Sequence, residues 1–367
     1  MINDKYVVWL ATIPGIGSAT FSKLLTYFRN SENIWYASKN DFVGLPIKQN
    51  IIDKIMDTNY KKYIDKILEN LYKNNIQIIT KEDGIYPQKL KSIKNSPPVL
   101  FLKGNVDLLN KFSIAIVGSR NCSEYGKNIS EMFANKLSNL NITIISGMAC
   151  GIDSIAHKAS LKNLGKTIAV LGSGFDNIYP SNNKSLFNEI IQSKGAVITE
   201  YLPDVLPIPS NFPARNRIVS GLSDGVLVVE AKEKSGALIT AELALKHEKK
   251  VFCIPSNIDT IYNKGGNKLI KKGVKMVTSI EDILEEYPQF NKDKLNEENL
   301  YIPKININLI KEEYRPVFKF ISTTPIAIEE ICRRLDLSIS NVNSILTMLE
   351  LEGYIKSLPG NKVVLAK

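Results

Sequence analysis

The sequence predicts an α/β fold with a doubly wound, mostly parallel sheet over about residues 113–280. Six short runs of apolar, largely β-branched residues recur there, and most are separated by helical segments of ten or more residues. The runs are residues 113–118, 143–146, 167–171, 196–199, 225–229 and 250–254. Apolar strands that alternate with helices are typical of a parallel sheet covered on both faces, a Rossmann-like arrangement. Ligands of such folds bind at the carboxyl ends of the strands.

A helical segment and a winged-helix-like segment flank this sheet. Residues 5–70 have helical patterns, and Gly15 and Gly17 separate two of them at a tight turn. The turn resembles a helix–hairpin–helix, whose amides contact DNA phosphates, and simple helical packing is the alternative. We predict a SAM- or helix–hairpin–helix-like domain at residues 1–74, an extended Rossmann-like domain at 75–283, a polar linker at 284–304 and a winged-helix-like domain at 305–367.

The winged-helix-like segment lacks the charge that DNA reading requires. Its second long helix, predicted at residues 338–352, contains no Lys or Arg and ends with Glu350 and Glu352. DNA readers need cations for phosphates and donors for base edges. We therefore expect a protein-contact or auxiliary role for this domain.

The net charge of +10 is unevenly distributed along the chain. Residues 1–112 contribute +6, residues 113–280 contribute +7 and residues 281–367 contribute −3. A polyanionic partner is therefore expected on the first two thirds, with simple solubility as the alternative. The four cysteines lie far apart, and no run of about 18 apolar residues occurs. We expect a cytoplasmic protein with free thiols and no membrane span.

Two arginines in one short segment, Arg215 and Arg217, require an anion or a carboxylate close by. Phe212 and Asn216 stand beside them, just before an apolar run. A guanidinium suits phosphate because its planar fork donates two parallel hydrogen bonds. The alternative is a helix N-terminus whose arginines pair with acids. Glu200 or Glu230, at strand ends, is the expected partner in that case.

The loops after the strands favour an anion site. Each offers glycine and a small hydroxyl residue before a helix, so the backbone approaches a ligand closely and helix amides face it. Together with Arg120, Arg215 and Arg217 they predict a phosphate-binding rim. The rim residues in these loops are Gly118, Ser119, Ser146, Gly147, Gly151, Ser235 and Gly236.

Catalytic and cofactor motifs are missing from the sequence. The loop that begins at Gly118 lacks the second and third glycines of a dinucleotide fingerprint, and no P-loop pattern occurs. His157 beside Asp153 has a structural role as its simpler explanation. We therefore predict no catalytic residue, metal or cofactor. Aromatics lie among the cations, and Phe212 is the best placed to stack on a base, before Tyr125, Phe175 and Tyr179.

These loops together resemble the DNA-processing protein A family (DprA/Smf). The matching blocks are Gly118-Ser119-Arg120 with Tyr125-Gly126, Ser146-Gly147 with Gly151-Ile152-Asp153, Gly172-x-Gly174-x-Asp176 with Tyr179-Pro180, Phe212-Pro213-x-Arg215-Asn216-Arg217-Ile218, residues 235–241 and residues 266–270. They follow the family order across about residues 113–273. The helical and winged-helix-like flanks match the three-part architecture of the family.

The resemblance implies a non-catalytic protein that binds single-stranded DNA in a pocket of its Rossmann-like domain. The family protects incoming DNA during natural transformation in competent cells, loads the RecA recombinase onto it, and works as a homodimer formed through that domain. Carried over by motif, the pocket residues are Arg120, Ser146, Gly147, Phe212, Arg215, Asn216 and Arg217. Pro209 departs from the pattern, because some members have a basic residue there. Lys158 or Lys184 could replace that charge.

A nucleotide phosphoribohydrolase of the lysine-decarboxylase-like family is the alternative function. Those Rossmann-like enzymes use a Pro-Gly-Gly-x-Gly-Thr run and a downstream Glu. Here the corresponding stretch runs from Lys234 through Ser235 and Gly236 to Glu242, without the repeated glycines. The sequence therefore favours DNA binding over hydrolysis.

Overall fold

The computed structural model describes residues 2–162, 166–290, 310–321, 326–358 and 360–365. The chain forms two compact units, residues 1–300 and residues 301–367. The strands of the first unit are β1 Gln77–Thr80, β2 Val99–Gly104, β3 Ser113–Val117, β4 Thr143–Ser146, β5 Thr167–Val170, β6 Ala196–Thr199, β7 Gly225–Val228, β8 Lys250–Cys253 and β9 Lys275–Met276.

These strands form one sheet in the order β1-β2-β6-β5-β4-β3-β7-β8-β9. The seven strands from β6 to β9 in this order are parallel, whereas β1 and β2 join the β6 edge in antiparallel pairing. The order reverses between β3 and β7, since the chain winds one way from β3 and the other way from β7. The predicted doubly wound, mostly parallel sheet is confirmed. The short edge strand β9 was not predicted, because it has only two residues.

Helices cover both faces of this sheet. The helices of the first unit are α1 Ile2–Thr12, α2 Ser18–Phe28, α3 Ser31–Tyr36, α4 Gln49–Met56, α5 Thr58–Lys62, α6 Ile64–Lys73, α7 Gln88–Lys91, α8 Glu124–Asn139, α9 Ile152–Lys162, α10 Lys184–Gln192, α11 Asn211–Leu222, α12 Gly236–Lys246, α13 Lys264–Lys271 and α14 Glu281–Leu284. Ile114 and Ile116 of β3 pack with α8 and α9, whereas Ala115 and Val117 pack with α11 and α12. This alternation follows from the period of two in a strand.

The N-terminal helices share a hydrophobic core with the sheet. Trp9 and Leu10 of α1 belong to the same buried cluster as Phe101 of β2, Ala169 of β5 and Val197 of β6. Gly15 at the turn between α1 and α2 has a φ of +96°, which glycine adopts without strain. The helical segment therefore belongs to the first compact unit.

The first part of the predicted linker packs against the sheet. Leu284 is buried, and the hydroxyl of Tyr287 donates a hydrogen bond of 3.1 Å to the carbonyl of Asp224. The ring of Tyr287 meets that of Phe112 at 4.8 Å between centroids. The polar composition of this stretch concealed the apolar anchors within it. The remainder of the predicted linker, residues 291–304, lies outside the described residues.

The second unit is a small winged-helix domain. Its described elements are α15 Arg315–Phe318, β10 Ile326–Ala327, α16 Ile328–Leu335, α17 Ile339–Leu351, β11 Ile355–Leu358 and β12 Lys362–Leu365. β11 and β12 pair antiparallel as the predicted wing, and β10 adds a third strand on β12. Val342, Leu346 and Leu349 of α17 are buried, and they recur at helical spacing on one face of the helix. In the part of the chain that the structure describes, no helix is both long and apolar enough to cross a bilayer.

Candidate nucleic-acid interface

A cavity of about 740 Å³ opens where the strand order reverses. Its walls come from the loops that follow β3, β4 and β7, from the first turns of α11, and from Tyr179 and Pro209. This is the position where open α/β sheets bind ligands, because the loops on either side of the reversal separate and leave a crevice. The site that the sequence predicts at the strand ends therefore coincides with a real cavity.

Most of the predicted site residues line this cavity. Nine do so, namely Gly118, Ser119, Arg120, Gly147, Phe212, Arg215, Asn216, Ser235 and Gly236. Three others, Ser146, Gly151 and Arg217, do not. The Ser146 hydroxyl is buried and donates to the carbonyl of Ile116 at 2.7 Å. Gly151 shapes the wall from behind, because a Cβ there would lie 2.3 Å from the carbonyl oxygen of Ser119.

Arg120 and Phe212 meet at the edge of the cavity. Arg120 is exposed, and its guanidinium carbon lies 5.6 Å from the centroid of the Phe212 ring. The ring of Tyr179 lies 5.4 Å from that of Phe212, at an interplanar angle of 53°. Gly172 leaves room for Phe212, since a Cβ at Gly172 would lie 3.0 Å from it. An exposed cation and two aromatic rings therefore lie together at one edge of the cavity.

Arg215 is a buried cation in the wall of the cavity. It is 4% exposed, and its Nη1 donates to the carbonyls of Gly147, at 2.6 Å, and Val170. Burial lowers the pKa of Arg215 to about 10, and the nearby carboxylate of Asp153 opposes that shift. The group therefore stays charged at neutral pH. Burial likewise raises the pKa of Asp153, which accepts hydrogen bonds from the amides of Gly147 and Ala149.

The structure does not place Arg217 in the cavity. Its Nη1 and Nη2 bind the two carboxylate oxygens of Glu200 at 2.6 and 2.5 Å, and its Nε donates to the carbonyl of Asn95. Arg215 and Arg217 are two residues apart on α11, which turns their side chains about 200° from each other. The sequence predicts both arginines as site residues and leaves open which of them contacts phosphate; the structure places Arg215, and not Arg217, in the cavity wall. For Arg217, the alternative of a carboxylate partner describes the structure.

Two acidic residues near the strand ends, Glu230 and Glu242, take positions outside the cavity. Glu230 accepts hydrogen bonds from the amide and hydroxyl of Ser123, at the start of α8, and is not the partner of an arginine in this structure. Glu242 is exposed on α12 and does not line the cavity. A phosphoribohydrolase would need its downstream Glu at the ligand site. Among the described residues, no group of three or more His, Cys, Asp or Glu forms a metal site.

His157 lies in the core with one ring nitrogen bound. Its Nδ1 is 2.7 Å from the hydroxyl of Thr167, which itself donates to the carbonyl of Ile144. Nδ1 is therefore the protonated nitrogen and donates to Thr167. Nε2 is buried, and no described residue forms a hydrogen bond with it. Burial, with a smaller contribution from Arg215, lowers the pKa of His157 to about 3.

Two lysines of the cavity were missed in the sequence. Lys232 and Lys234 lie in the loop after β7 and line the cavity, whereas Lys158 and Lys184 do not. Pro209 also lines it and brings no charge. The signal was present in the Lys-x-Lys spacing just before Ser235 and Gly236, because every βα loop at the reversal point contributes to the same crevice.

The family models match both units of the chain. The model of the DNA recombination-mediator protein A family matches residues 77–288, and that of the DprA winged helix domain matches residues 311–361. The chain belongs to the DNA recombination-mediator protein A family. The cavity therefore lies within the part of the chain that defines the family.

Individual relatives agree with this assignment. The chain is 36% identical to Protein Smf of Escherichia coli over an alignment of 310 residues. This alignment covers 84% of this chain and 82% of the relative. It is 46% identical over 205 residues to the DNA processing protein DprA of Streptococcus pneumoniae, covering 56% of this chain and 72% of the relative.

Two solved structures share the fold. The crystal structure of DNA processing protein A from Streptococcus pneumoniae superimposes with a TM-score of 0.69 and 38% identity, over 77% of this chain and 97% of that one. The Helicobacter pylori protein has a TM-score of 0.51 and 33% identity, over 57% of this chain and 95% of that one. The description of the Helicobacter pylori structure concerns the single-stranded DNA binding mode of that protein.

Proposed function

We propose that this protein binds single-stranded DNA at the cavity and performs no chemistry on it. The observation that carries the proposal is the placement of exposed Arg120 over the ring of Phe212, at the edge of a cavity that contains buried Arg215. An unpaired strand offers both phosphates and free base faces, so it suits a site with cations and aromatic rings side by side. A duplex keeps its bases stacked and cannot use the rings.

Each part of the cavity has a task in this proposal. Arg120 is free to bind a phosphate with its planar fork. Arg215, whose charge the carboxylate of Asp153 opposes, holds the wall in place through the carbonyls of Gly147 and Val170. Phe212 and Tyr179 stack on a base, which contributes about 1–3 kcal/mol per base. The similarity to the Helicobacter pylori protein, described for its single-stranded DNA binding mode, supports the same ligand here.

The wider role follows from the family. We propose that the protein protects incoming DNA in the cytoplasm during natural transformation and loads the RecA recombinase onto it. We also propose a homodimer through the Rossmann-like domain. Exposed apolar side chains support such a contact, since Met276 on the edge strand β9 is 51% exposed and Ile258 in the loop after β8 is 93% exposed. The winged-helix domain, whose helix α17 carries no cation, serves as an auxiliary or protein-contact module.

The binding test compares single- and double-stranded oligonucleotides of the same length. Fluorescence anisotropy of a labelled oligothymidylate, measured at about 50 and about 200 mM salt, should show tight binding that weakens steeply with salt. The matching duplex should bind far more weakly. Equal affinity for both forms, or release of free base from a nucleoside monophosphate, would contradict the proposal and favour the hydrolase.

A further inference from the structure

Four exposed lysines form a basic patch directly beside the cavity. We define the lysine patch as Lys232, Lys234, Lys264 and Lys268. Glu233 is the acid among them, and its carboxylate binds Lys268 at 2.7 Å. The pKa of Glu233 is lowered by Lys268 first and by the charges of Lys264 and Lys234 as well, which places these lysines around it. The patch therefore keeps a clear positive excess.

The backbone holds the two halves of the patch together. The buried side chain of Asn263 accepts a hydrogen bond from the amide of Ala231 and donates one to the carbonyl of Ile254. The amides of Gly265 and Gly266 donate to the carbonyl of Ala231. A Cβ at Gly265 would lie 2.7 Å from the carbonyl oxygen of Lys232, so the first turn of α13 contacts the β7–α12 loop directly.

The patch is continuous with the cavity. Lys232 and Lys234 themselves line it, and Lys264 and Lys268 extend the positive surface along α13. Lys232 is oriented by Tyr262, since its Nζ lies 5.3 Å from the centroid of that ring. A strand with one nucleotide in the cavity can bring an adjacent phosphate to Lys232 and Lys234, because both lysines belong to the cavity wall.

We propose that the lysine patch binds the phosphates adjacent to the nucleotide held in the cavity, and so sets the path by which the strand leaves it. The inference rests on the proposed function and extends it from a single binding cavity to a path that the strand follows along the lysine patch. It also explains which residues give the cavity its positive charge, because Pro209 in its wall is uncharged. Lysine suits this task, since a mobile point charge follows a flexible backbone without fixing one base.

The test pairs a patch variant with two lengths of DNA. Lys264→Gln/Lys268→Gln, which removes the two lysines of the patch that do not line the cavity, is compared with wild type in binding to a twelve-nucleotide oligothymidylate across a salt series. Losing two phosphate contacts should reduce the slope of log affinity against log salt by about 1.4, so the loss of affinity between about 50 and about 200 mM salt becomes about sevenfold smaller. Binding of an oligothymidylate trimer, measured by competition, should stay unchanged in this variant, because Lys264 and Lys268 lie outside the cavity.

Matched variants separate the possible results. Lys136→Gln/Lys166→Gln removes two exposed lysines near the opposite, amino-terminal edge of the strands and should leave the slope unchanged. Lys264→Arg/Lys268→Arg should retain the wild-type slope. An unchanged slope in the patch variant, or an equal loss of affinity for the trimer and for the longer oligonucleotide, would overturn the proposed path of the strand. A wild-type protein that fails to bind the longer strand would instead defeat the proposed function itself.

Discussion

The guanidinium of Arg217 and the carboxylate of Glu200 form a two-pronged ion pair, with N–O distances of 2.6 and 2.5 Å. Both side chains are largely buried, at 14% and 15% exposure. Burial acts to lower the pKa of Arg217, but the hydrogen bonds and charge of Glu200 outweigh it and the pKa is raised. The pair joins α11 to the end of β6, and the bond from Arg217 to Asn95 ties in the connector before β2. Its role is to position the helix that carries Arg215 and Phe212.

Arg217→Met should destabilise the fold more than it weakens DNA binding. The change leaves the Glu200 carboxylate buried without a partner, which costs about 3–5 kcal/mol. The free energy of unfolding, from urea denaturation, should fall by that amount. At temperatures where the variant is folded, its affinity for oligothymidylate should stay closer to wild type than that of Arg120→Ala.

The double variant Glu200→Met/Arg217→Met is the control for this ion pair. It removes both charges, so it should recover most of the lost stability, since apolar side chains of similar size often replace a buried pair without cost. Unchanged stability together with abolished binding in Arg217→Met would place Arg217 in the DNA site after all.

Arg120→Ala should weaken single-stranded DNA binding without harming the fold. Arg120 is exposed at the edge of the cavity, and exposed surface changes alter stability by only about 0.5 kcal/mol. Losing one phosphate contact should reduce the salt slope by about 0.7 and lower affinity alike for thymidine, cytidine and adenosine oligomers. Anisotropy on the three homo-oligomers measures this.

Lys136→Ala, an exposed cation near the opposite edge of the sheet, is the charge-matched control for Arg120 and should bind like wild type. Arg120→Lys should recover part of the affinity, because it keeps the charge but not the fork. Wild-type affinity in both Arg120→Ala and Arg215→Ala would remove the cavity as the DNA site.

Substitution by alanine at two glycines of the same cavity, Gly147 and Gly236, should have different effects on the stability of the protein. A Cβ at Gly147 would lie 2.7 Å from Nη2 of Arg215 and 2.8 Å from Oδ2 of Asp153, so Gly147→Ala must displace a buried charged group. It should lower both stability and oligothymidylate affinity. A Cβ at Gly236 meets nothing within 4 Å, at the first position of α12.

Gly236→Ala is therefore the matched control for stability, and it should be as stable as wild type or slightly more so. Melting temperature and anisotropy on both variants decide the matter. Equal effects of the two substitutions would mean that backbone freedom, and not the space beside Arg215, governs the cavity.

The sheet could be predicted from the sequence because its signal is local. Each strand of the parallel core is a short apolar run between helical segments, and the glycine–hydroxyl loops mark where the strands end. The topology rule then places those loops at one edge. Residues 118–120 and 235–236 were found in this way, and the structure brings them to one cavity.

The parts of the site that could not be predicted depend on the direction of each side chain around its helix and on packing between distant segments. Sequence motifs specify neither. Arg215 and Arg217 belong to one motif, yet the helix sends one to the cavity wall and the other to Glu200. Lys232 and Lys234 belong to no motif and still line the cavity. Tyr287 lies in a polar stretch, and only the sheet shows that its ring has a place to pack.

The second buried network, around His157, predicts a pH dependence of stability. In the unfolded chain a histidine has a pKa of 6.5, whereas in the fold the pKa of His157 is about 3. Between these two pKa values the unfolded state therefore binds a proton at His157 that the folded state does not bind. A lowered pKa of this kind contributes stability above pH 6.5 and loses it as the pH falls towards 3. Between pH 6.5 and about 5 the loss amounts to about 1.5 kcal/mol.

His157→Asn should remove this acid sensitivity. Its side-chain amide can donate to Thr167 in place of Nδ1, and it carries no titrating group, so the variant should lose about 1.5 kcal/mol less than wild type over that pH interval, whatever its stability at neutral pH. Urea midpoints at both pH values measure the difference. His247, the other histidine, is partly exposed and bound to Ser220, and His247→Asn should keep most of the wild-type acid response. An equal response in all three proteins would mean that His157 is protonated in the fold, which requires a partner for Nε2 beside Arg215.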